Sequence, residues 1–151
     1  MFQPLSKRYI AACFLITAVL LYARIPVVRA ESASATVQSG GLQEEYPKEI
    51  SIRQTASKKV NGAYILDVRE LHEFVQGHIP GAVTIPLGTL SQRIHELPED
   101  KDKEIVIVCL SGGRSLVGLD VIRNAGYAKS SSMAGGMAAW KAAGYPTVTG
   151  R

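Results

Sequence analysis

The chain has 151 residues, 46% of them hydrophobic and 20% charged, which suits one compact domain and excludes a disordered, collagen-like or multi-domain protein. Its 17 Lys and Arg against 13 Asp and Glu give a net charge of +4, which raises the question of a nucleic acid or an anionic membrane as partner. The placement of the charges answers it: Lys7, Arg8, Arg24 and Arg29 stand in residues 1–30 without a single acid, and the rest of the chain balances thirteen bases against thirteen acids. Nucleic acid is therefore not an expected partner. Two cysteines, Cys13 and Cys109, are too few for a disulfide framework and have no metal-ligand spacing; neither a metal nor a cofactor is expected.

Residues 1–30 have the form of a signal peptide. A basic segment with Lys7 and Arg8 precedes an apolar run from Tyr9 to Ala23, and Val28 and Ala30 place small residues before a cleavage position. Export with cleavage after Ala30, into the periplasm if the source is bacterial, is the expected route. The alternative is a retained anchor over residues 9–28, which reaches the roughly 20 residues that span a bilayer and would keep the domain at the membrane, outside the cytoplasm. Ile10-Ala-Ala-Cys13 resembles a lipid-attachment motif, but only Tyr9 and Ile10 separate it from Arg8, so Cys13 is read as an apolar leader residue. Residues 31–49, with Ser32, Ser34, Ser39, Gly40 and Gly41, read as a flexible tether, and residues 50–151 as the domain.

From Ile50 onward the periodicity alternates. Ile50–Ile52 reads as a short edge strand and Arg53–Val60 as a helix stopped by Asn61-Gly62. Ala63–Val68 is an apolar strand carrying Asp67, followed by helical Glu70–Val75. Gly81–Pro86 is a short strand, and Leu90, Ile94 and Leu97 mark a helix over Thr89–Leu97. Ile105–Cys109 is continuously apolar and β-branched up to its cysteine, the pattern of a strand covered on both faces. Ser115–Ala125 follows as a helix with Leu116, Leu119 and Ile122 on one stripe, closed by Gly126. Met133 lies in a last short strand and Met137–Ala143 in a last helix. Strands alternating with helices predict an α/β fold with a parallel sheet between helices, in which ligands bind beyond the carboxyl ends of the strands.

Cys109 ends the most apolar strand, and Leu110-Ser111-Gly112-Gly113-Arg114-Ser115 leads straight into a helix. The glycines let the backbone curl so that successive N–H groups converge on one atom, and the helix N-terminus adds its positive dipole end. Settings of this kind lower a thiol pKa from about 8.5 to roughly 3.5 to 7.5. A fall of about two units turns the thiolate share at neutral pH from a few per cent into a majority. An inert buried cysteine is the bland alternative, but packing alone needs neither a Gly-Gly turn nor Arg114 at the helix start. With the leader removed, Cys109 is the one remaining cysteine, and no internal disulfide can consume it.

Leu66-Asp-Val-Arg-Glu70, Glu73-Phe74, Gly77-His-Ile-Pro-Gly-Ala82, Cys109–Ser115 and Gly135-Gly-Met-Ala-Ala-Trp140 stand in the order of the rhodanese superfamily, which the chain resembles over Ile50–Tyr145 in the form of a single catalytic domain. The resemblance implies a five-stranded parallel sheet flanked by helices on both faces, and transfer of sulfane sulfur through a persulfide on Cys109. The donor would be thiosulfate or a persulfide, and the acceptor cyanide or a small-molecule or protein thiol. Four residues separate Cys109 from Arg114, the length found in sulfur-transferring members; phosphatase and arsenate-reductase relatives carry one more. The resemblance implies Leu110, Ser111, Gly112, Gly113, Arg114 and Ser115 as the loop around the reacting sulfur. Asp67 and Arg69 match a strand-end pair supporting the site, and Asp67 is an expected partner for Arg114. His78 belongs to a turn motif and stays outside the site, His72 and His95 are expected in solvent, and Trp140 in the core. A non-catalytic rhodanese-like binding module and, with less support from the loop length, a small phosphatase or arsenate reductase are the other readings. N-terminal sequencing of the exported protein is expected to begin at Glu31; Met1 on a membrane-bound product would instead mark a retained anchor.

Overall fold

The computed structural model describes residues 45–151; the leader, its cleavage position and most of the expected tether lie outside the described residues. Five strands, β1 (Glu49–Ile50), β2 (Tyr64–Asp67), β3 (Val83–Thr84), β4 (Ile105–Val108) and β5 (Ser130–Met133), form one sheet. Its order is β1-β5-β4-β2-β3, with every pairing parallel. The helices are α1 (Ile52–Val60), α2 (Leu71–Val75), α3 (Leu87–Leu90), α4 (Gly113–Asn124) and α5 (Gly136–Ala142), with a 3₁₀ turn at Ile94–Glu96. This is the α/β architecture the alternating pattern predicts.

β4 is the centre because all four of its β-branched residues are buried. The two-residue period of a strand sorts them between two cores. Ile105, Ile107 and Cys109 join Leu66 and Val68 of the β2 segment and pack with Leu90, Leu119 and Ile122. Val106 and Val108 join Ile65 and Met133 and pack with Met137 and Trp140. Each fully buried side chain of this kind contributes roughly 1.5 to 3 kcal/mol, so the central strands are held from both faces. From β2 the chain continues outward to β3, and from β4 it continues to β5 on the opposite side. The sheet therefore has its switch point between β2 and β4, where open α/β sheets form their ligand crevice. Asp67 closes one of those strands and Cys109 follows the other.

Several elements depart from the expected boundaries for local reasons. Ile52 starts a helix and does not end a strand, because Ser51 caps α1: its Oγ accepts the Gln54 N–H at 3.3 Å while Gln54 Oε1 accepts the Ser51 N–H at 2.9 Å. The helix expected over Thr89–Leu97 is split into α3 and the 3₁₀ turn. Its bonds run three residues back, as from Gln92 to Thr89 and from Leu97 to Ile94, and Leu90 and Leu97 are buried all the same. α4 begins at Gly113, two residues early, and its inward stripe is Ser115, Gly118, Leu119 and Ile122; Leu116 is 36% exposed. Gly118 fits there because a Cβ would already touch Val68 and Ile107 at 3.4 and 3.5 Å.

β5 contains Ser130, Ser131 and Ser132, which an apolar criterion leaves out of a strand. All three are buried, since each hydroxyl finds a partner: Tyr127 O at 2.6 Å for Ser130, Pro47 O at 2.6 Å for Ser131, and Ser115 Oγ at 2.8 Å for Ser132. Tyr46–Glu49, within the segment read as tether, lie against the domain. Arg123 donates to Tyr46 O at 2.6 Å, and the Ser132 N–H to Lys48 O at 2.7 Å. Truncation tests the corrected stripe. Leu119→Ala is expected to cost about 2 to 5 kcal/mol and Leu116→Ala roughly 1 kcal/mol or less, read from urea unfolding; equal losses would restore Leu116 to the core.

Candidate active site

The loop around Cys109 is shaped by two glycines on different elements. Cys109 emerges from β4 with only 1% of its surface exposed, and the chain turns over it through Leu110 and Ser111 to Gly112. Gly112 has φ +110°, a conformation costly for any residue with a Cβ. In it the Gly112 N–H points back and donates to the Cys109 sulfur at 3.1 Å. The second glycine is Gly136 at the start of α5, with φ +56°. A Cβ there would stand 2.5 Å from the Cys109 carbonyl oxygen and 2.6 Å from the Leu110 carbonyl. That closeness lets the N–H groups of Met137 and Ala138 donate to the Cys109 and Leu110 carbonyls at 2.8 and 2.9 Å. Because N–H and C=O of one peptide point in opposite directions, holding these carbonyls on the α5 side turns the following N–H groups of the loop the other way.

Ser115 completes the surroundings of the sulfur. Its buried Oγ is 3.5 Å from the Cys109 sulfur, donates to Gly112 O at 2.8 Å and shares a hydrogen bond with Ser132 Oγ at 2.8 Å. Burial pushes the Cys109 thiol pKa up, but the Ser115 hydroxyl and the N–H groups of Ser115, Gly112 and Ser111 outweigh it, and the net direction is down. Thiolate is the nucleophilic form of a cysteine, and the contacts of this loop shift Cys109 toward it.

The charged residues form a chain that differs from the expected one. Arg114 pairs with Glu73, not Asp67: its Nη1 and Nη2 donate to Glu73 Oε2 and Oε1 at 2.7 and 2.8 Å. Asp67 is occupied by Arg69, whose Nε and Nη2 reach its carboxylate at 3.0 and 2.7 Å. Both partners are almost wholly buried. Arg69 spends its remaining donors on Gly77 O at 3.0 Å and Glu73 O at 3.3 Å, tying the end of β2 to α2. Asp67 and Arg69 thus hold the helix that holds Glu73, and Glu73 holds Arg114. Removing one partner of such a buried pair costs about 3 to 5 kcal/mol.

Sequence reasoning missed Glu73 as a site residue. The available signal was the Glu70-x-x-Glu73 spacing, which sets Glu73 in the first turn of a helix leaving β2; its Oε2 also accepts the Glu70 N–H at 3.1 Å. It missed Ser132 as well. Leu110, Ser111 and Gly113 are exposed at the mouth of the loop. His78 lies away from it, buried, with Nδ1 2.9 Å from Phe74 O and its ring stacked on Phe74 at 3.6 Å. His72 and His95 are exposed, and Trp140 is buried.

Residues 48–143 match the family model of the rhodanese-like domain. Among curated relatives, a Bacillus subtilis protein named as a candidate sulfur carrier is 43% identical over 76 residues, which are 50% of this chain and 40% of that protein. A sulfurtransferase of Allochromatium vinosum is 36% identical over 84 residues, 56% of this chain and 77% of that one. The chain therefore spans less than half the length of the first of these relatives and about three quarters of the second. In structure, a rhodanese-related protein from Thermoplasma volcanium superposes with a TM-score of 0.62 at 26% identity, covering 68% of this chain and 99% of its own.

The Arg114–Glu73 pair predicts a pH dependence. The hydrogen bonds from Arg114 hold the Glu73 carboxyl down to about 2 from its ordinary value of 4.5; burial opposes them, and the Glu70 N–H and the charges of Arg114 and Arg69 reinforce them. A carboxyl pKa lowered on folding adds stability that is present above the unfolded value and lost as the pH falls through the folded one. Stability against urea is expected to fall between about pH 5 and pH 2, and Glu73→Gln to flatten that part of the profile. An unchanged acid slope in Glu73→Gln would show that the pair adds no stability.

Proposed function

From the premise that the chain belongs to the rhodanese-like domain family, we propose that it is a sulfurtransferase carrying sulfane sulfur on Cys109. The observation that carries this reading is the Gly112 N–H donating to the Cys109 sulfur at 3.1 Å inside a loop with four residues between Cys109 and Arg114. The Cys109 thiolate attacks the outer sulfur of a donor R–S–S⁻, the donor's S–S bond breaks, and R–S⁻ leaves with the electron pair. Cys109 is left as a persulfide, Cys–S–S⁻. With thiosulfate as donor the leaving group is sulfite. A nucleophilic acceptor, a thiolate or cyanide, then takes the terminal sulfur and releases the Cys109 thiolate. Neither half needs an external oxidant.

The terminal sulfur of the persulfide is an anion of one atom, and the loop N–H groups suit one atom better than a tetrahedral oxyanion. Each charge-assisted hydrogen bond to it stabilises by roughly 1.5 to 3 kcal/mol. Arg114 attracts anionic substrates and orients the loop, but its charge is matched by Glu73, and Leu110 presents a half-exposed apolar side chain at the mouth. These features favour a carbon-borne persulfide over the dianionic thiosulfate as donor, and a thiol as acceptor.

Intact-mass measurement after incubation with sulfane donors tests the reading. The chain is expected to gain one sulfur, more readily from an organic persulfide than from thiosulfate, and Cys109→Ser to gain none. No gain from any sulfane donor would sink the proposal, and release of phosphate from an aryl phosphate would replace it with a phosphatase.

A further inference from the structure

We propose that Ser132 of β5 is a positioning residue for Cys109, donating its hydroxyl proton to Ser115 so that the Ser115 proton is free to turn to the sulfur. The inference rests on Cys109 as the reacting thiol and adds a residue from the neighbouring strand. Ser132 and Ser115 are both fully buried at 0% exposure, with their oxygens 2.8 Å apart. Ser115 Oγ also stands 2.8 Å from Gly112 O and 3.5 Å from the Cys109 sulfur.

A hydroxyl has one proton and two lone pairs, so the bonds can be assigned by counting. While Cys109 is a thiol, Ser115 accepts from its S–H and from the Ser132 O–H, and donates to the Gly112 carbonyl. Once Cys109 is a thiolate it donates nothing and calls for donors. The Ser115 proton then turns from the Gly112 carbonyl to the sulfur, while Ser132 continues to fill one lone pair of the Ser115 oxygen. Remove the Ser132 hydroxyl and the two states suffer unequally. The thiol still supplies a donor to Ser115, whereas the thiolate leaves that buried oxygen with none, which is the costly case. Ser132 therefore favours the charged form of a residue from which Ser115 separates it.

The other groups around the sulfur do not duplicate this. Arg114 of α4 is paired with Glu73 of α2, and Asp67 with Arg69 beyond β2. β5 brings only its serines and Met133, and Lys141, the ionisable residue of α5, lies beside Gly77. Ser130, on the same strand, spends its hydroxyl on Tyr127 O at 2.6 Å and serves as the comparison.

The test is the pH profile of iodoacetamide alkylation at Cys109 in the full chain, read by peptide mass so that Cys13 does not contribute. Ser132→Ala is expected to raise the midpoint by about 0.5 to 1 pH unit, a three- to tenfold fall in thiolate below the midpoint. Ser130→Ala is expected to lower Tm and leave the midpoint in place. In the Ser115→Ala background, adding Ser132→Ala is expected to shift the midpoint no further, the signature of two residues acting in series. A midpoint unmoved by Ser132→Ala, a shift that persists without the Ser115 hydroxyl, or an equal shift in Ser130→Ala would overturn the proposal. Alkylation needs no sulfur donor, so failure of sulfur loading alongside these shifts would refute the sulfurtransferase reading and leave the Ser132 role standing.

Discussion

The arrangement of the site depends on two backbone hydrogen bonds, from the Met137 and Ala138 N–H groups to the carbonyls of Cys109 and Leu110. A loop that aims N–H groups at a sulfur must send its carbonyls elsewhere, and a buried carbonyl without a partner costs about as much as a lost hydrogen bond. The start of α5 supplies the partners, and it comes close enough only because Gly136 has no Cβ to collide with the Cys109 carbonyl. The surroundings of the Cys109 sulfur are thus built jointly by the loop after β4 and the turn after β5. Gly112 provides the N–H that faces inward, and Gly136 disposes of the carbonyls that face outward.

A second layer of control is electrostatic and runs through α2. The Asp67–Arg69 pair is buried at the end of β2, and it does more than neutralise itself. The guanidinium also reaches the carbonyls of Glu73 and Gly77, so a five-residue helix too short to be stable by itself is held at its middle and just past its C-terminal end. Glu73 is then presented rigidly to Arg114. The cation at the loop is consequently paired with a carboxylate and directionally held.

Much of this was legible in the sequence where composition and geometry agree. The β-branched run Ile105–Val108 announced the central strand, and Cys109 at its end, followed by Gly112-Gly113, announced the site. The spacing to Arg114 could be counted. What escaped was whatever depends on pairing across the fold. Asp67 was the natural guess for Arg114 because both are strand-end or helix-start residues, and nothing in one dimension tells that Arg69, two residues on, claims that carboxylate first. β5 escaped for a different reason. Periodicity detects burial through apolar side chains, and Ser130–Ser132 are buried through hydrogen bonds that join residues 3, 84 and 17 positions apart. Leu116 failed in the opposite sense: it has the right spacing for the stripe, but α4 starts at Gly113 and meets the sheet through Ser115 and Gly118, so the face is rotated from the one its leucines suggest.

The lengths of the strands carry a further consequence. The three inner strands have four residues each and the two outer ones, β1 and β3, only two. An outer strand offers unpaired N–H and C=O groups that can template pairing with another chain, and very short outer strands are among the ways natural sheets blunt that tendency. Here β1 and β3 are too short to recruit a stranger in register. A domain whose central strand β4 is continuously apolar, and therefore prone to self-association whenever exposed, is in this way fenced at both margins against growing into an aggregate.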